Sequence, residues 1–366
     1  MFNRFFKGKK VFITGHTGFK GSWLAAWLLE LGAKVTGFAL PPQTERDHFT
    51  VLGLQNRVRH VVGDIRELAP LQMALAQAEP DIVFHLAAQP LVRLSYAQPK
   101  LTFDTNVGGS VNVLEGVRHC SSVRALVYIT SDKCYRNREW VWGYRENDEL
   151  GGRDPYSASK GCAELVFSSY LESFFAQRPG FAAASARGGN VIGGGDWALD
   201  RIVPDCIRAL EKQEPVQVRN PQATRPWQHV LEPLSGYLLL AQRLFDAGNQ
   251  YSGAWNFGPD KESNRTVREL VEKALGVWGS GKPVMGTSAG TQPHEAHFLH
   301  LNCDKARQEL GWRPAWQFDQ AVEHAIAWYS EWLEDADAWN LTTRQIYEYT
   351  ASRQDSKPRM NADGRE

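Results

Sequence analysis

The sequence predicts an α/β protein: a doubly wound parallel sheet followed by a smaller C-terminal lobe. Three observations carry that reading. Apolar, β-branched runs alternate with helical patterns through the first half of the chain. Those runs are almost continuously apolar, as in strands covered by helices on both faces. A glycine-rich turn, "TGHTGFKG", joins the first strand to the first helix.

Taken in order, "KKVFITG" is a strand and "KGSWLAAWLLELG" an amphipathic helix closed by Gly32. "AKVTGFAL" is the second strand. "VRHVVGDI" and "DIVFHLAA" are the next two, with the helix "LAPLQMALAQAE" between them. "NVGGSVNVLEGVRHC" is a helix that leads into the strand "RALVYITS", and "YSASKGCAELVFSSYLESFF" is another helix. Beyond residue 190 the pattern loosens and becomes rich in Gly, Pro and Trp. There "PVQVRN" and "WNFGP" read as short strands, and "VRELVEKALGVWG" and "FDQAVEHAIAWYSEWL" as helices. The expected organisation is a main domain over 1–190, with segments near 226–260 returning to it. A lobe over 191–350 and a polar, flexible tail over 351–366 complete it.

The 366 residues suffice for one large domain with a lobe, or for two domains. Lys plus Arg and Asp plus Glu both total 41, so no global field attracts nucleic acid or an anionic membrane, and anion recognition must be local. Cys120, Cys134, Cys162, Cys206 and Cys303 are scattered without CxxC spacing, which argues against a disulfide framework and against zinc. "MFNRFFKGKK" lacks the apolar stretch of an export signal, and no run is long enough to span a bilayer; a cytoplasmic protein is expected. Most of the 13 tryptophans are expected in the core.

Gly15, Gly18 and Gly21 form a GxxGxxG turn between strand and helix. Glycines there permit a tight turn and close backbone approach, and the helix N-terminus faces a dinucleotide's pyrophosphate. A glycine triad alone divides evenly between such a cradle and a structural turn. Its place after the first strand of a Rossmann-type pattern favours the cradle. Thr17, Phe19 and Lys20 belong to the same turn. Asp64 and Ile65 after the third strand, Leu86, Ala87 and Ala88 after the fourth, and Asn106 are the further cofactor contacts. The second strand ends "GFALPPQ" with no acidic residue for a ribose hydroxyl, and Arg46 lies too far along to clamp a 2′-phosphate. This rule leaves NAD and NADP open.

At "YITSDKCY" a buried strand ends in Ser131, Asp132 and Lys133. An ordinary polar turn would look the same. Tyr156 and Lys160 in "DPYSASK" stand one helical turn apart on one face, where an ammonium beside a phenol favours phenolate. A solvated Tyr/Lys pair is the commoner meaning of a bare YxxxK. Glycine turn, polar strand end and YxxxK in this chain order form a specific combination.

The stretches "GHTGFKGSWL", "HLAAQPLVRLSY", "TSDKCY", "DPYSASKGCAEL", "ARGGNVIGGGDW" and "RNPQATRPWQHVLEPLSGY" resemble the extended short-chain dehydrogenase/reductase family. Within it they resemble the sugar-nucleotide 4,6-dehydratases, most narrowly those acting on CDP-glucose. The resemblance implies a bound NAD, a nucleotide-sugar substrate in the C-terminal lobe, and a step in deoxysugar biosynthesis of O-antigen type. Related dehydratases end the strand in Thr-Asp-Glu where this chain has Ser131, Asp132 and Lys133. It implies Tyr156 as base toward the sugar's 4-hydroxyl, Ser131 as hydrogen-bond partner of that oxygen, and Lys160 as holder of the ribose. Asp132 is the acid toward the 6-hydroxyl. Lys133 is either the base at carbon 5, if neutral, or an electrostatic stabiliser, if charged.

For the substrate, Arg187, Arg201, Arg219 and Arg225 are candidate phosphate contacts, with His229 beside Trp227. Asn190, Gln89, Arg93 and Tyr96 are candidate sugar contacts. His294 and His297 suggest a metal only superficially, and no metal is expected. The helices after the fourth and fifth strands are where family members pair, so a homodimer or higher homo-oligomer is expected. The competing readings are a dehydratase of dTDP-glucose or GDP-mannose, a UDP-sugar 4-epimerase, and a non-catalytic dinucleotide sensor. Asp132 and Lys133 argue against the epimerase, and Ser131, Tyr156 and Lys160 together against the sensor.

Overall fold

The structure is a computed structural model, and it describes residues 2–286 and 298–355. A seven-stranded parallel sheet forms its centre. Its strands are β1 (Lys10–Thr14), β2 (Lys34–Ala39), β3 (Arg59–Val62), β4 (Ile82–His85), β5 (Ala125–Ile129), β6 (Ala182–Gly188) and the edge strand Gly253–Phe257. Their spatial order runs from the edge strand through β6, β5, β4, β1 and β2 to β3. Successive residues point to opposite faces and both faces are apolar. Ile82, Phe84, Ala125 and Val127 join the cluster built on Trp23 and Trp27; Val83, Leu126 and Tyr128 join the cluster with Leu71, Val113 and Phe167. This is why the strands read as unbroken apolar runs rather than as alternation.

The chain passes from β1 to β2 through the helix α1 (Phe19–Glu30). Every residue from Gly21 to Leu28 is buried, so α1 is not the amphipathic helix its sequence promised. A C-terminal helix, Ala338–Asp355, covers its outer side: Trp27 meets Tyr349 edge-on at 5.7 Å. The first residues of the expected tail are part of that helix, since 351–355 are helical and Arg353 donates to the Arg313 carbonyl at 2.8 Å; 356–366 lie outside the described residues. The helix Leu231–Ala247, also unforeseen, packs its buried face into the same core. "WNFGP", expected among the short strands after residue 190, is the outer strand of the main sheet, paired with β6. Trp23, Trp27, Trp255, Trp312, Trp316 and Trp328 are fully buried, as most tryptophans were expected to be. Among the described residues no helix is long and apolar enough to cross a membrane.

Candidate active site

The glycine turn is built by close backbone approach. Gly15 has φ +78°, and a Cβ there would lie 2.7 Å from the Ala87 nitrogen beyond β4. A Cβ on Gly21 would lie 2.1 Å from the Gly15 carbonyl oxygen. Gly18 is different. It caps α1 without any side-chain hydrogen bond to the first turn, and a Cβ there would meet nothing nearer than 3.5 Å. The protein itself does not need a glycine at 18. The free N–H groups of α1 and the open space over Gly18 fit a pyrophosphate. Thr17 donates its hydroxyl to the Leu40 carbonyl at 2.9 Å, and Phe19 stands against Gly193.

Asp64, at the mouth of an open cavity of about 600 Å³, is held by Arg66 at 2.5 Å, which keeps the carboxyl below its ordinary range. Ile65 is buried against Gly109, while Leu86, Ala87 and Ala88 are half-buried at the end of β4. Asn106 is corrected. A π-helical turn over Asp104–Gly109 aims it inward, where it takes the Gln89 N–H at 2.8 Å and gives to the Gln89 carbonyl and Ser159. It braces the β4 loop. Gln89, expected against the sugar, is spent on Leu91 and Thr102 for the same reason: a buried amide must satisfy all its groups. Arg46 is paired with Glu211 and stacked 3.8 Å from the Trp197 ring, so it clamps no phosphate.

The chemistry-bearing residues meet where β5 ends. Asp132 opens a short helical turn capped by Ser131, whose Oγ takes the Lys133 N–H at 3.2 Å and donates to Asp132 Oδ1 at 2.8 Å. The helix Pro155–Tyr170 starts at the Asp154 cap, with Pro155 at its first position, and brings Tyr156 beside Ser131. Lys160, one turn on, has its Nζ 6.0 Å from the Tyr156 ring centre.

Burial dominates the electrostatics here. It pushes Asp132 upward against the opposing pull of Lys133, Ser131 and Lys20. It pushes the Tyr156 phenol up to about 12, outweighing the opposing influence of Ser131, and the Lys160 ammonium down to about 8, against Glu164. The expectation that Lys160 would bring Tyr156 near neutrality is therefore corrected for the protein's own groups. Lys20 extends from the glycine turn toward Asp132 and Arg201, its pKa lowered to about 8 by burial and then by Arg201.

Arg201, one-third exposed, pairs with Asp196 at 2.8 Å and acts electrostatically on Tyr156, so it borders the site. Arg93, just beyond the end of β4, and Arg219, from the segment past residue 190, both donate to Asp200 Oδ1, at 3.2 and 2.9 Å. Asn190 is half-buried just past β6, Arg225 donates to the Thr224 carbonyl, and Tyr96 is 41% exposed.

Two further substrate assignments are corrected. Arg187 is fully inside, paired with Glu164 at 2.7 Å and donating to the Tyr135 hydroxyl, because a buried guanidinium needs a buried carboxylate. His229 is buried edge-on against Trp316 and Trp23, and burial holds it neutral. His294 and His297 lie outside the described residues; among those described, no cluster of metal-binding side chains forms.

Glu164, Asp200 and Tyr237 escaped the sequence reading. Glu164 stands four residues after Lys160 within an apolar helical stripe, a signal that was available. It takes bonds from Thr130, Ser185 and Arg187, tying the helix to β5 and β6. Nothing in the local sequence marks Asp200 or Tyr237.

A family model described as GDP-mannose 4,6 dehydratase matches residues 12–325. The CDP-glucose 4,6-dehydratase of Salmonella typhimurium is 49% identical over 352 residues, 95% of this chain and 98% of that protein. A UDP-glucose 4-epimerase from Thermus thermophilus, solved in complex with NAD, is 25% identical with a TM-score of 0.74, covering 87% of this chain and 98% of its own. A dTDP-glucose 4,6-dehydratase from Streptomyces venezuelae, 23% identical, shares the fold with a TM-score of 0.73, covering 88% and 97%. With the match running from β1 into the helix Phe318–Leu333, the chain belongs to the GDP-mannose 4,6 dehydratase family.

Proposed function

We propose that this protein converts CDP-glucose to CDP-4-dehydro-6-deoxyglucose with a tightly held NAD that ends each turnover as it began. One observation carries the reading: Ser131, Asp132 and Tyr156 converge at one sheet edge in a chain 49% identical to a CDP-glucose 4,6-dehydratase. When bound, NAD would supply the hydride acceptor for carbon 4 of the sugar and the hydride donor for carbon 6. The glycine turn and the free N–H groups of α1 hold the dinucleotide, and Lys160 its ribose.

Tyr156 removes the proton of the 4-hydroxyl, with Ser131 hydrogen-bonding the same oxygen. The ketone at carbon 4 acidifies the hydrogen on carbon 5. That proton passes to a base at carbon 5, Lys133 or a water, and a proton comes back to carbon 5 once the hydride is on carbon 6. Asp132, pushed toward its acid form by burial, gives its proton to the 6-oxygen as water departs. Arg93, Arg201, Arg219 and Arg225 surround the diphosphate, and Tyr96 and Asn190 border the hexose. Residues 1–190 with the edge strand form the cofactor domain, and 191–350 supply most of the substrate lobe. The reaction feeds deoxysugar synthesis in the cytoplasm. Exposed Leu165 and Phe174, on and just beyond the Tyr156 helix, support pairing of two copies there.

A panel of CDP-, dTDP-, UDP- and GDP-hexoses, read by the alkaline absorbance of a 4-keto-6-deoxy product, tests this. CDP-glucose should turn over fastest. Tyr156→Phe should lower kcat by about 10²- to 10⁴-fold with the NAD content unchanged. Faster turnover of another nucleotide would reassign the substrate, and a 4-epimer as product would reassign the reaction.

A further inference from the structure

Lys20 was expected to grip the cofactor, and the fold turns it elsewhere. It is the second residue of α1, half-buried, with its Nζ 6.0 Å from the centre of the Tyr237 ring. Two consecutive glycines at the end of β6 define what surrounds it. A Cβ on Gly188 would lie 2.8 Å from the Tyr237 hydroxyl, and one on Gly189 would lie 3.0 Å from Asp132 Oδ2. Tyr237 and Asp132 thus occupy adjacent seats against bare backbone, with Lys20 over the first of them. The Tyr237 hydroxyl is fully buried and, among the described residues, has no hydrogen-bond partner.

We propose that Lys20 is a positioning residue for Asp132, its ammonium setting the acid strength of that carboxyl. The role rests on the dehydration proposed above. There the Asp132 O–H bond breaks as its proton joins the 6-oxygen, and the carbon 6–oxygen bond breaks with its electron pair leaving in water. A carboxylate is then left in a buried site, and an uncompensated buried anion is costly.

The other cations nearby are engaged. Arg201 is paired with Asp196, and Lys160 faces Glu164. Lys133, from Asp132's own turn, and Lys20, from α1, are the cations that act on Asp132; Tyr156 and Tyr237 face it as neutral phenols. Arg201 and Lys160 face Lys20 in turn. A cation from a second element keeps the acid strong enough to give up its proton, where burial alone would make it too weak.

The test follows the Asp132 carboxyl by ¹³C NMR in the NAD-loaded protein labelled at aspartate, its resonance assigned by its loss in Asp132→Asn. Removing a nearby cation disfavours the carboxylate, so Lys20→Met should raise the Asp132 midpoint by about one pH unit. Lys20→Arg should keep it at the wild-type position. The alkaline limb of kcat for CDP-glucose should move upward with it, with NAD content unchanged. An unmoved or lowered midpoint in Lys20→Met would overturn the proposal. NAD loss with an unmoved midpoint would do so too, and would return Lys20 to the cofactor. A midpoint that shifts in a protein that never turns over CDP-glucose would keep the pairing and remove the proposed substrate instead.

Discussion

Asp132, Tyr156 and Lys160 show how burial and charge divide the control of single groups. Each is buried and each is driven toward its neutral form: the carboxyl and phenol upward, the ammonium down to about 8. For Asp132 that is the state an acid needs. For Tyr156 it is the opposite of what a base needs, so the lowering must come with the bound reactants rather than from Lys160 alone. Arg187 makes the related point that a charge read as ligand-facing can be spent on the fold. Its guanidinium and Glu164 are 4% and 2% exposed, and removing one partner of such a pair costs about 3–5 kcal/mol. Lys133, half-buried beside Asp132, is where carbon-5 chemistry is testable. We expect Lys133→Met to slow deuterium exchange at carbon 5 by about 10²-fold, and Lys133→Arg to retain most of it, as a cation that stabilises the enolate would. Equal loss in both variants would make Lys133 the base, and wild-type exchange in Lys133→Met would remove it from the step.

At the level of elements, the turn into α1 contains three glycines with different jobs. Gly21 is required by packing, since a Cβ there would strike the Gly15 carbonyl, and Gly15 by its positive φ as well. Gly18 has an ordinary φ of −75° and room for a methyl group. Gly18→Ala should therefore fold with apo stability within about 1 kcal/mol of wild type, yet copurify with much less NAD. Gly21→Ala should lose at least about 3 kcal/mol. Urea unfolding and nucleotide release separate the two outcomes, and NAD retained by Gly18→Ala would mean that no phosphate passes over that residue. The helix α1 also explains a misreading. Its sequence is apolar on nearly every face because Ala338–Asp355 covers the side that would otherwise meet water.

Across the whole molecule, Glu232 ties distant segments together. It accepts the N–H groups of Ala315 and Trp316, the latter at 2.6 Å, and the Tyr349 hydroxyl at 2.7 Å. It thereby joins the Leu231–Ala247 helix, the loop before Phe318 and the C-terminal helix. Burial raises it from 4.5 to about 7. The folded state therefore holds a proton that the unfolded state has released between those values, and stability falls as pH rises through that window. Glu232→Gln should flatten the decline, which for this group amounts to about 3 kcal/mol. Urea midpoints across the window would show it, and parallel slopes for the two proteins would refute it.

The sequence alone determined what local chemistry and period can encode. The apolar strand runs, the glycine turn, the polar end of β5 and the four-residue spacing of Tyr156 and Lys160 are all short-range patterns, and they stand where they were read. Tertiary structure decided which side chains are left over for chemistry. Arg187, Gln89, Asn106 and His229 carry the same functional groups as true ligand contacts, but the fold buries them: Arg187 on Glu164, Gln89 and Asn106 on each other and their neighbours, and His229 between Trp23 and Trp316. Lys20 and Tyr237 came to Asp132 from turns and helices more than a hundred residues away. Burial and pairing depend on what packs opposite, and no local window of sequence contains that.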